Sequence, residues 1–145
     1  MRITDNFTLQ EMTNTNTGLS NEPNTEQLEN IIKLAKLLQI IRNEYGKPIK
    51  VNSAFRSVEV NNKVKGSKNS DHLYGCAADI TCERNDVLWE IINHLIVTKQ
   101  ISVRQLIWEY GTQYGPKWIH ISINNKYNKE KHNEILYIGV GKVKK

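Results

Sequence analysis

The residue order predicts an α+β fold: a single domain with one mainly antiparallel sheet and helices packed on one face of it. Three observations carry this expectation. Two long segments, Leu28 to Tyr45 and Leu88 to Ile96, repeat their apolar residues at three-to-four spacing, the period of a helix with one buried side. Several short segments instead alternate apolar and polar residues, the period of a half-buried strand. Between two of these, Tyr110 to Lys117 contains Gly111, Gly115 and Pro116 and fits the turn of a hairpin.

Taken in order, Thr8 followed three residues later by Glu11 forms a capping box and predicts a short entry helix. Thr13 to Asn24 is rich in Asn and Thr and reads as a loop. The first long helix starts at Thr25-Glu26 behind Pro23. Its stripe is Leu28, Ile31, Ile32, Ala35, Leu38, Ile41 and Tyr45, and Gly46 and Pro48 stop it. Such a stripe faces a core rather than a partner. Ile49 to Ser53 alternates like a strand and leads to Arg56. Val58 to Val64 can form a short helix, and Lys65 to Asp71 is a loop before the strand Ala77–Thr81. Asn85 or Asp86 can cap a helix towards Lys99, with Leu88, Ile91, Ile92, Leu95 and Ile96 buried and His94 at the boundary. Val103 to Glu109 and Trp118 to Ser122 are the hairpin strands, and Ile135 to Val140 is a terminal strand preceded by His132 in a charged loop. Repeats, linkers and a second domain are not evident, so one domain is expected over residues 1–145.

A chain of 145 residues can bury a real core, and its hydrophobic fraction of 39% is low but not that of a disordered chain. Twenty Lys+Arg against fifteen Asp+Glu leave a net charge of +5, which favours anionic polymers. The lysines are scattered apart from Lys142, Lys144 and Lys145, so a solvated surface is the better reading and no nucleic-acid partner is expected. No run is long and apolar enough to span a membrane. Met1 to Asn6 lacks the apolar core of a secretory signal, so the expectation is a monomer that is cytoplasmic as synthesised. Cys76 and Cys82 lie in an extended segment about 20 Å apart, too far for a disulfide, and are expected to be reduced.

Strand parity supplies the functional hint. Ala77, Asp79 and Thr81 share one face of their strand; Trp118, His120 and Ser122 share one face of theirs; Gln105, Ile107 and Glu109 share one face of the strand between. One side of the sheet can be apolar and packed on helices, while the other carries Asp79, Glu109 and His120 to a common site. His72, in the loop before the first of these strands, adds a second imidazole. Imidazole and carboxylate are both good ligands for a divalent metal.

Ser70-x-His72-x-x-Gly75-x-Ala77-x-Asp79, followed by Trp118-x-His120, resembles the signature of the zinc D-Ala-D-Ala peptidases of the M15 group, whose fold is shared with the hedgehog signalling domain. Ser53-Ala54-Phe55-Arg56-Ser57, Asn61, Gly66-Ser67 and Gln105-Leu106-Ile107 ending in Glu109 match in the same order, so the likeness runs from about Phe7 to Ser122. It implies a hedgehog/DD-peptidase-like fold, Zn2+ held by His72, Asp79 and His120, Glu109 as general base, and Arg56 and Ser70 on the substrate. The implied substrate is the stem peptide of peptidoglycan, cut beside a D-amino acid by a carboxypeptidase or endopeptidase, in the manner of a phage-type endolysin released to the wall. Two histidines and one carboxylate leave an open fourth position, as catalytic zinc sites do.

Each role has a plainer alternative. Glu109 can be a surface glutamate at a strand end, Arg56 a surface ion pair, Ser70 a loop cap and Trp118 a core residue. The sequence also departs from several relatives, in which an acidic base lies three residues before the last histidine ligand; Lys117 stands there. Asp71 is the fallback base, more simply a loop hydrogen bonder. A zinc domain without catalysis, binding peptidoglycan or a protein partner, is the competing expectation.

Overall fold

In the computed structural model, which describes residues 1–139, a five-stranded sheet carries helices on one face. The helices are α1 (Leu9–Met12), α2 (Thr25–Tyr45), α3 (Val58–Lys63) and α4 (Asn85–Val97); the strands are β1 (Lys50–Ser53), β2 (Ala77–Thr81), β3 (Gln105–Glu109), β4 (Trp118–Ser122) and β5 (Glu134–Ile138). Strand order is β1-β2-β4-β3-β5. All neighbours pair antiparallel except β3 and β5, which run parallel with Gln105 opposite Glu134.

The α1 capping box forms, with the Thr8 hydroxyl accepting from the Glu11 amide and the Glu11 carboxylate accepting from the Thr8 amide. A second box, Asn24 with Gln27, starts α2. The buried residues of α2 are Ile31, Leu34, Ala35, Leu37, Leu38 and Ile41; those of α4 are Leu88, Trp89, Ile92 and Leu95. They pack on Ala78, Ile80, Leu106, Trp108, Ile119 and Ile121, the apolar face that strand alternation creates. Each such side chain taken from water contributes roughly 1.5–3 kcal/mol before entropy is counted. The other face of β2, β3 and β4 carries Asp79, Ile107, Glu109, Trp118 and His120, which line a cleft.

Several elements depart from the sequence expectation. Neither Asn85 nor Asp86 caps α4: Arg84 is the N-cap and makes no side-chain cap bond. Asn85 instead reaches back, accepting from the Cys82 amide and donating to the carbonyls of Pro116 and Lys117, which ties the β3–β4 turn to α4. His94 is exposed rather than at the boundary of the stripe, and Trp89 is buried in its place beside Trp108. β3 begins at Gln105, after Val103 and Arg104. The terminal strand starts one residue early, and Val140 with Lys142, Lys144 and Lys145 lies outside the described residues. Both cysteines are free. Among the described residues, no helix is long and apolar enough to cross a membrane.

Candidate active site

Antiparallel pairing of β2 with β4 sets Asp79 directly opposite His120, on the face that lines the cleft. His72 comes from a 3₁₀ turn, Asp71–Tyr74, just before β2. The sequence builds that turn locally: the Ser70 hydroxyl accepts from the His72 amide at its start, and Gly75 closes it at φ 76. A side chain at Gly75 would place its Cβ 2.7 Å from the carbonyl oxygen of Gln27, so glycine is what lets the turn press against α2. There the Gln27 and Asn30 amides donate to the carbonyls of Leu73 and Tyr74.

His72 is buried, and its Nδ1 lies 2.6 Å from the carbonyl oxygen of Ala54. A carbonyl can only accept, so Nδ1 carries the hydrogen and Nε2 is left facing Asp79, 3.4 Å from Oδ2. On the other side, His120 Nδ1 lies 3.0 Å from Asp79 Oδ1. One ligand atom from each of His72, Asp79 and His120 falls within 4.8 Å of the others, so the three can hold a metal ion. Burial pushes the His72 pKa down against the pull of Asp79, favouring the neutral imidazole that metals bind. Burial alone would raise Asp79, but the adjoining His72 and His120 outweigh it and hold the carboxyl well below the usual carboxylate range.

The cleft above these residues has a volume of about 550 Å³. Glu109, Arg56, Ser70, Trp118 and Tyr110 all line it. Glu109 Oε2 is 3.7 Å from His120 Nδ1. Burial raises the Glu109 pKa, Asp79 adds to the rise, and His120, Trp118 and Arg56 oppose it. Trp118 is the cross-strand neighbour of Glu109; its buried indole N–H meets no acceptor at hydrogen-bonding geometry. Arg56 is half-buried and all three of its nitrogens have a partner: Nε donates to Ser53 Oγ at 3.1 Å, and the terminal nitrogens lie 3.4 Å from Asn61 Oδ1 and 3.5 Å from Asp79 Oδ2. Lys117 is exposed, with its ammonium 5.9 Å from the Trp118 ring centre.

Asp71 also borders the cleft, but both its oxygens are already engaged. Its carboxylate is buried, 2.7 Å from an Arg104 guanidinium nitrogen, and accepts from the amides of Asn125 and Asn128. Arg104 Nε in turn donates to the Lys129 carbonyl. This network pins the polar segment between β4 and β5 against the turn that carries His72, and Tyr127 stacks on Tyr74 with ring centres 4.6 Å apart. Asp71 is thus the loop hydrogen bonder that its sequence position suggests, while its partners Arg104, Asn125 and Asn128 carry no mark in the sequence. Only the buried position of an acidic residue beside a ligand could have signalled them. His94 and His132 are both exposed and outside the group.

The family model of Peptidase M15 matches residues 5–122, which contain every cleft residue named above. The chain is also 40% identical over 79 residues to a zinc D-Ala-D-Ala carboxypeptidase of Streptomyces albus G, a stretch covering 52% of this chain and 31% of that protein. The match thus reaches less than a third of that relative's length. With the family match covering most of the chain, the protein belongs to the peptidase M15 family.

Proposed function

We propose that this chain is a zinc peptidase that hydrolyses peptidoglycan stem peptides at a bond adjoining a D-amino acid, as a carboxypeptidase or endopeptidase. One observation carries the reading: His72, Asp79 and His120 converge in an open cleft with Glu109 beside them and Arg56 on its wall. The donor set suits zinc. Two imidazoles and one carboxylate, with one ligand atom of each within 4.8 Å of the others, are a donor set that zinc accepts.

Zinc bound there would supply a Lewis acid that polarises the scissile carbonyl and acidifies water. The remaining work falls to the chain. The Ala54 carbonyl holds the His72 ring in one tautomer, so that Nε2 is the available donor. Glu109 takes the proton of the attacking water and returns it to the leaving amine; a pKa raised by burial makes both transfers easier near neutral pH. Arg56 presents a planar cation to a peptide carbonyl or carboxylate, and Ser70 offers a second polar contact at the cleft wall. A wall-lysis enzyme released to its substrate, of the endolysin type, fits this role.

The test is zinc content together with turnover on purified muropeptides. About one zinc per chain and a cleaved stem peptide are expected. Zinc without cleavage of any muropeptide would favour the non-catalytic binding domain that Lys117 suggests. A chain that takes up no zinc would overturn both readings.

A further inference from the structure

Arg56 is held in a frame whose most enclosed member is Asn61, 2% exposed and one helical turn on in α3. The Asn61 amide divides its two ends. Oδ1 faces the Arg56 guanidinium at 3.4 Å, and Nδ2 donates to the Ser67 carbonyl at 2.9 Å. Its main-chain carbonyl accepts from the Gly66 amide at 2.8 Å. A single buried residue therefore links the cleft arginine to the loop that forms the cleft wall. At 3.4 Å the contact with Arg56 is long and weak by itself. What keeps it is Gly66. A Cβ at that position would fall 2.1 Å from Asn61 Oδ1 and 3.1 Å from an Arg56 terminal nitrogen, so the loop backbone lies against both groups. The Gly66 φ is not in the left-handed region, so an alanine there would be opposed by this packing alone.

We propose that Asn61 and Gly66 are positioning residues for Arg56, fixing the orientation in which the guanidinium meets a stem peptide; this rests on the substrate role of Arg56 proposed above. Five N–H groups radiate from a guanidinium, and Ser53, Asn61 and Asp79 engage one nitrogen each. The N–H groups left over are the ones that can address a substrate. A fork fixed in this way loses less freedom on binding than a mobile one.

The experiment is a double-mutant cycle read as affinity for a synthetic stem pentapeptide ending in D-Ala-D-Ala, with all variants built on Glu109→Gln so that cleavage does not intrude. Asn61→Leu and Gly66→Ala are each expected to weaken binding about tenfold, through the freedom that a released guanidinium must give up on binding. Zinc content should stay unchanged. On Arg56→Ala, either substitution should have no further effect, because a residue acting through Arg56 has nothing left to position. If Asn61→Leu does not fold, Gly66→Ala carries the same cycle. Unchanged affinity, an equal loss with and without Arg56, or lost zinc would each overturn the proposal. Turnover by the Glu109-containing parent is measured separately. An intact cycle beside an inactive parent would remove the peptidase reading and leave this one standing, whereas a pentapeptide that does not bind would remove the substrate role of Arg56 and this proposal with it.

Discussion

Glu109 and Asp71 are both partly or fully buried carboxylates next to the histidine-rich floor, and their partners give them different work. Glu109 stands over the cleft beside His120. Replacing it by Gln keeps shape and removes the basic oxygen; turnover is expected to drop by roughly 10²-fold or more with zinc content and folding intact. Asp71 neutralises a guanidinium that is itself enclosed, with side-chain exposures of 5% and 9% for the pair. Asp71→Asn leaves Arg104 buried without a counter-charge, so the expected loss is in stability, about 3 kcal/mol in denaturant unfolding. Activity per folded molecule should change only a few-fold; abolished turnover in a variant that remains folded would reassign the base to Asp71. At the metal, alanine at His72, Asp79 or His120 should strip bound zinc as measured by elemental analysis, while alanine at His94 should not. Full zinc retention by His120→Ala would remove the ligand assignment.

Periodicity and capping chemistry made most elements readable, because α2, β2 and β4 are each dictated by residues close in sequence. Asn24 illustrates such local control: its side chain and that of Gln27 satisfy one another's backbone amides at the start of α2. Asn24→Ala is expected to cost about 1 kcal/mol in thermal or denaturant unfolding. Turnover should be unaffected, since the cap lies outside the cleft. Strand parity likewise makes the common face of Asp79, Glu109 and His120 readable in the sequence. What stayed hidden depends on distant partners. The expected terminal strand, Ile135 to Val140, carries no sign of its direction in sequence; bonds between Val103 and Asn133 accompany the parallel pairing of β5 with β3. Asp71 reads as a loop hydrogen bonder and Arg104 as one residue of a strand, and only the folded chain brings them together. Asn61 is similar: an asparagine in a polar six-residue helix does not announce that it will be buried.

For the molecule as a whole, alkali offers a handle on the core. Cys76 is fully enclosed, and burial, aided by the charge of Asp71, pushes its thiol up to about 12. The folded state therefore keeps a proton that the unfolded chain gives up near the ordinary thiol value of about 8.5. Its contribution is complete below that value and is lost as pH rises towards 12, with a slope of up to about 1.4 kcal/mol per pH unit. Cys76→Ala should flatten the fall in stability between those limits by comparison with the parent in denaturant titrations; an unchanged slope would show that other groups govern it. The strand order β1-β2-β4-β3-β5 carries a different kind of consequence, in time rather than energy. β2 is seated beside β4 before β3 is reached across the sheet, yet β4 is made after β3, and the Asp79–His120 contact spans 41 residues. The network that steadies the His72 turn waits for Asn128, 57 residues beyond Asp71. Distant closures of this kind are slow steps in folding. A pocket formed by these residues is therefore expected to mature late: in stopped-flow refolding, helix signal should precede tight zinc uptake, and zinc captured in the earliest phase would show instead that the ion templates the fold.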